Sequence, residues 1–126
     1  MGKQHKKAIR AAFRGAVFAR DRHTCQVCGR RWTAQDADPS LKRINAHHIT
    51  DRNLMPGGGY VLENGITVCD VAAFDDPGES CHMRVEAWHI SGGTQVEPGL
   101  HPDKLYERIG SSQALAIRKS ERLERG

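Results

Sequence analysis

Residues 43–49, Arg43-Ile44-Asn45-Ala46-His47-His48-Ile49, read as a short strand, β-branched in part, that ends on a pair of histidines. Adjacent strand residues point to opposite faces. His47 and His48 can therefore serve one site only at a strand end or at a bulge, a device common beside active sites. Neutral imidazoles at two positions can bind a divalent cation, and a third can act as a base near neutral pH.

Working outward, Pro56-Gly57-Gly58-Gly59 is a strong breaker, and Gly65–Cys69 reads as a second strand with Asn64 just before it. Asp75-Asp76-Pro77-Gly78 is a turn. Cys81–His89 is helical in pattern, opened by Cys81-His82, with Met83, Ala87 and Trp88 as candidate buried positions. Residues 92–102 form a loop. Asp103–Ile109 is a short helix stopped by Gly110, and Ser111 or Ser112 caps a last helix to about Arg122. Upstream, Ile9, Ala12, Phe13, Ala16 and Val17 fall at i, i+3, i+4, i+7 and i+8, predicting an amphipathic helix over about residues 5–21. The chain divides into a basic N-terminal helix (1–24), a core (25–90) and a C-terminal loop with helices (91–126). Two short strands among several helices predict an α+β fold.

Cys25-x2-Cys28 followed by Gly29 is a zinc-knuckle pattern, in which a tight turn aims two thiolates at one point. Cys69 and Cys81 could complete a four-cysteine site. The segment between them is longer than the usual second Cys-x2-Cys and has to loop out. His82 or His23 could replace a thiolate. The alternative is two disulfides, with three possible pairings, but the polar, basic start of the sequence lacks the apolar stretch of a secretory signal. The expected setting is the reducing cytoplasm. Zinc held this way supplies folding free energy on the order of 10 kcal/mol, which suits a 126-residue chain with 6% aromatic residues. Four thiolates close the shell, so such a zinc is structural.

The formal net charge is +4, with 27% charged and 38% hydrophobic residues and no apolar run long enough for a membrane span. The charge is unevenly placed: residues 1–24 carry seven basic groups against one acid, residues 25–116 eight against twelve, and residues 117–126 four against two. Basic extensions neutralise phosphates and release counterions. Lys6, Lys7, Arg10 and Arg14, on the outer faces of the first helix, are candidate nucleic-acid contacts. So is Arg84, whose other reading is a solvated side chain.

Together, Arg20-Asp21-Arg22-His23-Thr24-Cys25-Gln26-Val27-Cys28-Gly29, Ala46-His47-His48-Ile49, Glu63-Asn64-Gly65-Ile66-Thr67-Val68-Cys69 and Cys81-His82 resemble the HNH endonucleases, members of the ββα-metal (His-Me finger) nucleases. The matching stretches span residues 20–89. The resemblance implies a small ββα-metal core around one catalytic divalent cation, with a four-cysteine zinc site of Cys25, Cys28, Cys69 and Cys81 and flanking helices. It implies that His47 and His82 are ligands of the catalytic cation, that His48 is the general base, and that Asn64 holds the loop between the strands and so orients the base. Many members carry an acid where this chain has His47.

The implied reaction is hydrolysis of DNA phosphodiester bonds. An imidazole-rich site suits Mn2+, Ni2+, Co2+ or Zn2+ better than Mg2+, so activity with manganese or nickel is expected to equal or exceed that with magnesium. Activity is expected to fall below about pH 6, where histidine protonates. Two other readings compete: a zinc-dependent nucleic-acid-binding module without catalysis, and a nuclease subunit that cuts only with partners in a phage packaging or restriction complex. His89, seven residues after His82, is either an accessory metal or phosphate group or packing. His23, Trp32 and Trp88 read as packing, and His5 and His101 as solvent-facing. The sequence assigns no target site, no oligomeric state and no choice between nicking and double-strand cleavage.

Overall fold

The computed structural model of the chain describes residues 3–71 and 80–125; the turn expected at Asp75–Gly78 lies outside the described residues. The protein is a small α+β fold of helix α1 (Lys3–Arg20), strands β1 (Ile44–His48) and β2 (Gly65–Cys69), and helices α2 (Cys81–Ile90), α3 (Pro102–Arg108) and α4 (Gln113–Arg125). Single 3-10 turns punctuate the connections. Among the described residues, no helix is long and apolar enough to cross a membrane.

The two strands pair antiparallel, from Ile44 opposite Cys69 to His48 opposite Gly65, without a bulge. Of the two geometries that would let both histidines reach one site, the chain uses the strand end. Alternation divides the ribbon between two packing layers. Ile44 and Ala46 pack with Phe13, Val17 and Phe18 of α1, and the His48 ring follows them onto that side, 4.6 Å from Phe13. Ile66 and Val68 face the other way, into a cluster with Val85 of α2, Leu105 and Tyr106 of α3 and Ala116 of α4. His47, opposite Ile66 in the ladder, shares that second face. Every residue of β2 is buried because the strand is covered on both sides.

Close approach of α1 depends on Gly65, where an added Cβ would lie 2.8 Å from the Phe13 ring and would also meet Val17. The same junction is pinned electrostatically. Arg20 forks onto Asp21 (2.8 and 2.9 Å) and donates to the carbonyls of Leu62 and Gly65, while Asp21 accepts the Thr67 amide at 2.9 Å. The Pro56–Gly59 breaker is a turn in which Gly57, Gly58 and Gly59 all take positive φ (61°, 84° and 70°), a run that L side chains resist.

Helix limits follow local chemistry. Ser80 caps α2 by accepting the Met83 amide, Pro102 occupies the first turn of α3, and Ser112, not Ser111, caps α4 through the Leu115 amide. The short helix thus starts one residue earlier than expected and the last helix runs on to Arg125. Met83 is a correction: it is 44% exposed, because α2 buries the stripe of Cys81 and Val85 and turns Met83 outward. Ala87 and Trp88 are half-buried. His101 is also half-buried, its ring 4.6 Å from Trp88 and its Nδ1 capping α3.

Candidate metal centres

Cys25, Cys28, Cys69 and Cys81 come together with their sulfurs within 4.8 Å of one another, and all four are free thiols. Four sulfurs gathered at one point could hold a metal ion. His23 is not drawn into the cluster; its ring lies 6.1 Å from Phe18, as packing. The knuckle is a miniature hairpin, with the Cys25 amide bonded to the Arg30 carbonyl and the Gly29 amide to the Cys25 carbonyl, both at 2.9 Å. β2 delivers Cys69 and the start of α2 delivers Cys81.

Donors surround the sulfurs. The amides of Cys28 and Cys69 each lie 3.4 Å from Cys25 Sγ, and Trp32 Nε1 lies 3.3 Å from Cys69 Sγ. The Cys69 thiol and these amides pull the Cys25 pKa down to about 4. Cys69 is driven up, first by its hydrogen bond to Cys25 and then by burial. Cys81 is pushed up to about 12, first by burial and then by the Cys25 charge. Without an ion, Cys25 favours the thiolate while Cys69 and Cys81 favour the thiol. A thiophilic dication such as zinc is what would make all four thiolates favourable together, and the donor set fits it.

Further along α2, His82, Glu86 and His89 recur at i, i+4 and i+7, one helical stripe facing β1. His47 meets that stripe. Ligand atoms of His47, Glu86 and His89 lie within 4.8 Å of one another, which makes them a second group able to hold a metal ion. His82 stands at its edge, Nε2 3.7 Å from Glu86 Oε1 and its ring 5.9 Å from that of His47. Glu86 is the residue that the sequence reading missed; its place between His82 and His89 at helical spacing was the available signal.

His47 is 2% exposed, and its Nδ1, 3.4 Å from Glu86 Oε1, is buried with no hydrogen-bond partner. A buried imidazole nitrogen that contacts a carboxylate without an aligned hydrogen bond is incompletely satisfied, and such a pair suits a cation between them. Burial pushes the His47 pKa down, so the ring is neutral. The imidazoles of His47 and His82 hold the Glu86 carboxyl well below its usual range, so it is ionised. Asp70 Oδ1 accepts from His82 Nδ1 at 2.9 Å, and the ring's Nε2 faces Glu86. Burial opposes protonation of His82, but Glu86 and Asp70 together raise its pKa. His89 donates its Nε2 proton to the His48 carbonyl at 2.8 Å, so its lone pair is on Nδ1.

A cleft of about 350 Å³ joins this group to His48; it is lined by His47, His48, Asp51, Arg52, Glu86 and His89 among others. The His48 ring is gripped by Phe13 and, edge-on at 4.8 Å, by Tyr60. Burial first, then the neighbouring His47 and Arg52, pushes its pKa down to about 4, which keeps it neutral at pH 7. Asn64 is fully buried and fully bonded. Its Oδ1 accepts from the Thr50 amide (3.0 Å) and Tyr106 hydroxyl (2.7 Å), and its Nδ2 donates to the carbonyls of Thr50 (3.1 Å) and Gly59 (3.2 Å). It staples both ends of the loop that follows His48.

The candidate nucleic-acid contacts are scattered. Lys6 and Arg10 line a groove beside the cleft, together with Arg52, which the sequence reading did not single out. Lys7 is exposed and lines none of the cavities described. Arg14 is committed to the Ala37 carbonyl at 2.8 Å and lies over the Phe18 ring. Arg84 is forked onto Glu97 at 2.7 and 2.9 Å, so its charge is already matched. Comparison of the chain with protein-family models, curated proteins and solved structures finds no match.

Proposed function

We propose that the protein is a metal-dependent endonuclease of the HNH type that hydrolyses DNA phosphodiester bonds. The observation that carries this reading is the buried, unpartnered Nδ1 of His47, set against the ionised Glu86 in the same cleft that His48 borders. On this reading β1, β2 and α2 are the ββα-metal unit, and the four-cysteine cluster beneath it holds structural zinc. His47 and Glu86 would hold the catalytic divalent cation, with imidazole donors from His82 and His89 on the same stripe. Such a cation would supply Lewis-acid stabilisation of the negative charge that grows on phosphate oxygens in the transition state.

The chain's own residues supply the rest. His48, neutral at pH 7, takes the proton from an attacking water at a ring nitrogen. Phe13 and Tyr60 fix its ring, and the His89–His48 carbonyl bond fixes its backbone. Asn64 holds the loop that carries Asp51 and Arg52 to the rim of the cleft. A binding module has no need of a neutral base beside a cation site, which favours catalysis over simple nucleic-acid binding. Dependence on partners of a phage packaging or restriction complex would appear as weak cleavage by the chain alone that rises when a partner is added.

The test is a plasmid-nicking assay on zinc-loaded protein with Mn2+, Ni2+, Co2+ or Mg2+ added back. Wild type is expected to nick, with manganese or nickel at least as effective as magnesium. His48→Ala is expected to abolish nicking while zinc content stays unchanged and the protein remains folded at the assay temperature. Undiminished nicking by His48→Ala refutes the base assignment, and binding without cleavage under every cation returns the protein to the class of nucleic-acid-binding modules.

A further inference from the structure

A second cavity, about 520 Å³, runs from the cleft between the outer face of α1, the glycine turn and the end of α4. Arg52 and Asn53 line both, so the groove continues the cleft. Its charged lining is mainly cationic, with Lys6 and Arg10 from α1 and Arg52 from the loop after β1 against one carboxylate, Glu124 of α4. Tyr60 lines the groove with the two arginines, and Arg52 Nη1 donates to its hydroxyl at 3.5 Å. Ile9 and Leu123 supply an apolar floor.

Two guanidiniums lining one groove repel each other. Among the described residues neither is in an ion pair. The two nearby carboxylates are engaged elsewhere, Asp51 with the Asn53 amide at 3.1 Å and Glu124 with the Gly57 amide at 2.9 Å. An anion would balance these charges, and Arg is the side chain best shaped to bind phosphate oxygens in pairs. The other face of Tyr60 meets the His48 ring edge-on, so one residue borders both the base and the anion position.

We propose that Arg10, Arg52 and Tyr60, with Lys6 behind them, form a subsite for the sugar–phosphate backbone of the nucleic-acid strand that leaves the cleft, holding a phosphate next to the one that is cut. The assignment of that strand to a cleavage reaction rests on the nuclease reading; the anion site rests on the groove. Arg14 and Arg84, though equally basic in sequence, stand outside it because their guanidiniums are already used.

The test is binding, read apart from cleavage. Fluorescence anisotropy measures the affinity of zinc-loaded protein, with no second cation added, for labelled single-stranded and duplex DNA across a salt series. Arg10→Ala/Arg52→Ala is expected to weaken binding about tenfold and to flatten the slope of log affinity against log salt by about one for each phosphate no longer held. Arg10→Lys/Arg52→Lys is expected to keep most of the slope, and Lys104→Ala, on exposed α3, to match wild type. Unchanged affinity and slope in the double alanine variant, or no binding by wild type, overturns the proposal. Loss of binding in that variant from a protein that never cuts supports the subsite and removes the nuclease reading. Cleavage by a wild type whose double variant binds equally well removes the subsite and leaves the nuclease.

Discussion

The Asp70 carboxylate accepts a hydrogen bond from His82 Nδ1 at 2.9 Å, fixing the tautomer of a ring whose other nitrogen lies 3.7 Å from Glu86. Carboxylates placed this way behind metal-ligating histidines raise ligand basicity and hold the ring in aim. Asp70→Asn is therefore expected to lower Mn2+ affinity about 10–100-fold, measured by calorimetric titration of zinc-loaded protein. Unchanged affinity would remove His82 from the ligand set and leave His47, Glu86 and His89.

Glu86→Gln keeps the shape of the side chain and removes its charge. The carboxylate faces His47 on one side and His82 on the other. Loss of detectable Mn2+ binding is expected, with four-cysteine zinc content unchanged by elemental analysis. Retained manganese binding in this variant would show that the imidazoles alone make the site.

Asn64 satisfies four partners from a position with no solvent access. Asn64→Ala leaves the Thr50 amide and two carbonyls unpaired in the interior, and a cost of about 2–4 kcal/mol is expected in denaturant melts. Nicking should fall with it even below the melting transition, because the loop after His48 loses its staple. A cost under about 0.5 kcal/mol would mean that water replaces the amide there.

At Gly65, the added methyl of Gly65→Ala meets the Phe13 ring and Val17. Overpacking of this kind is expected to cost about 1–3 kcal/mol. Combining it with Phe13→Leu should recover part of that loss, since residues in contact are not additive. Strict additivity in the double mutant would place the clash elsewhere.

Much of this was legible locally. The knuckle, both strands and the helix from Cys81 are set by short-range pattern, and the structure brings the four cysteines together despite the long interval between Cys69 and Cys81. Glu86 escaped because a single acid in a helix reads as a solvated face until it is aligned with His82, His89 and a strand residue far away in sequence. Arg84 read as free because its partner Glu97 lies 13 residues on, beyond the helix end. Arg52 and Tyr60 sit in loop structure whose course depends on three consecutive left-handed glycines, and no periodicity reports where such a loop puts its side chains.

On the proposed reading, one short helix serves two metal centres, thiolate at its start and imidazole–carboxylate along its side. Anomalous diffraction from crystals of zinc-loaded protein soaked in Mn2+, recorded at the edges of both metals, tests it directly. The account predicts a zinc peak among Cys25, Cys28, Cys69 and Cys81 and a separate manganese peak against His47 and Glu86. A manganese peak absent from that pocket, or a cysteine cluster without zinc, would contradict it.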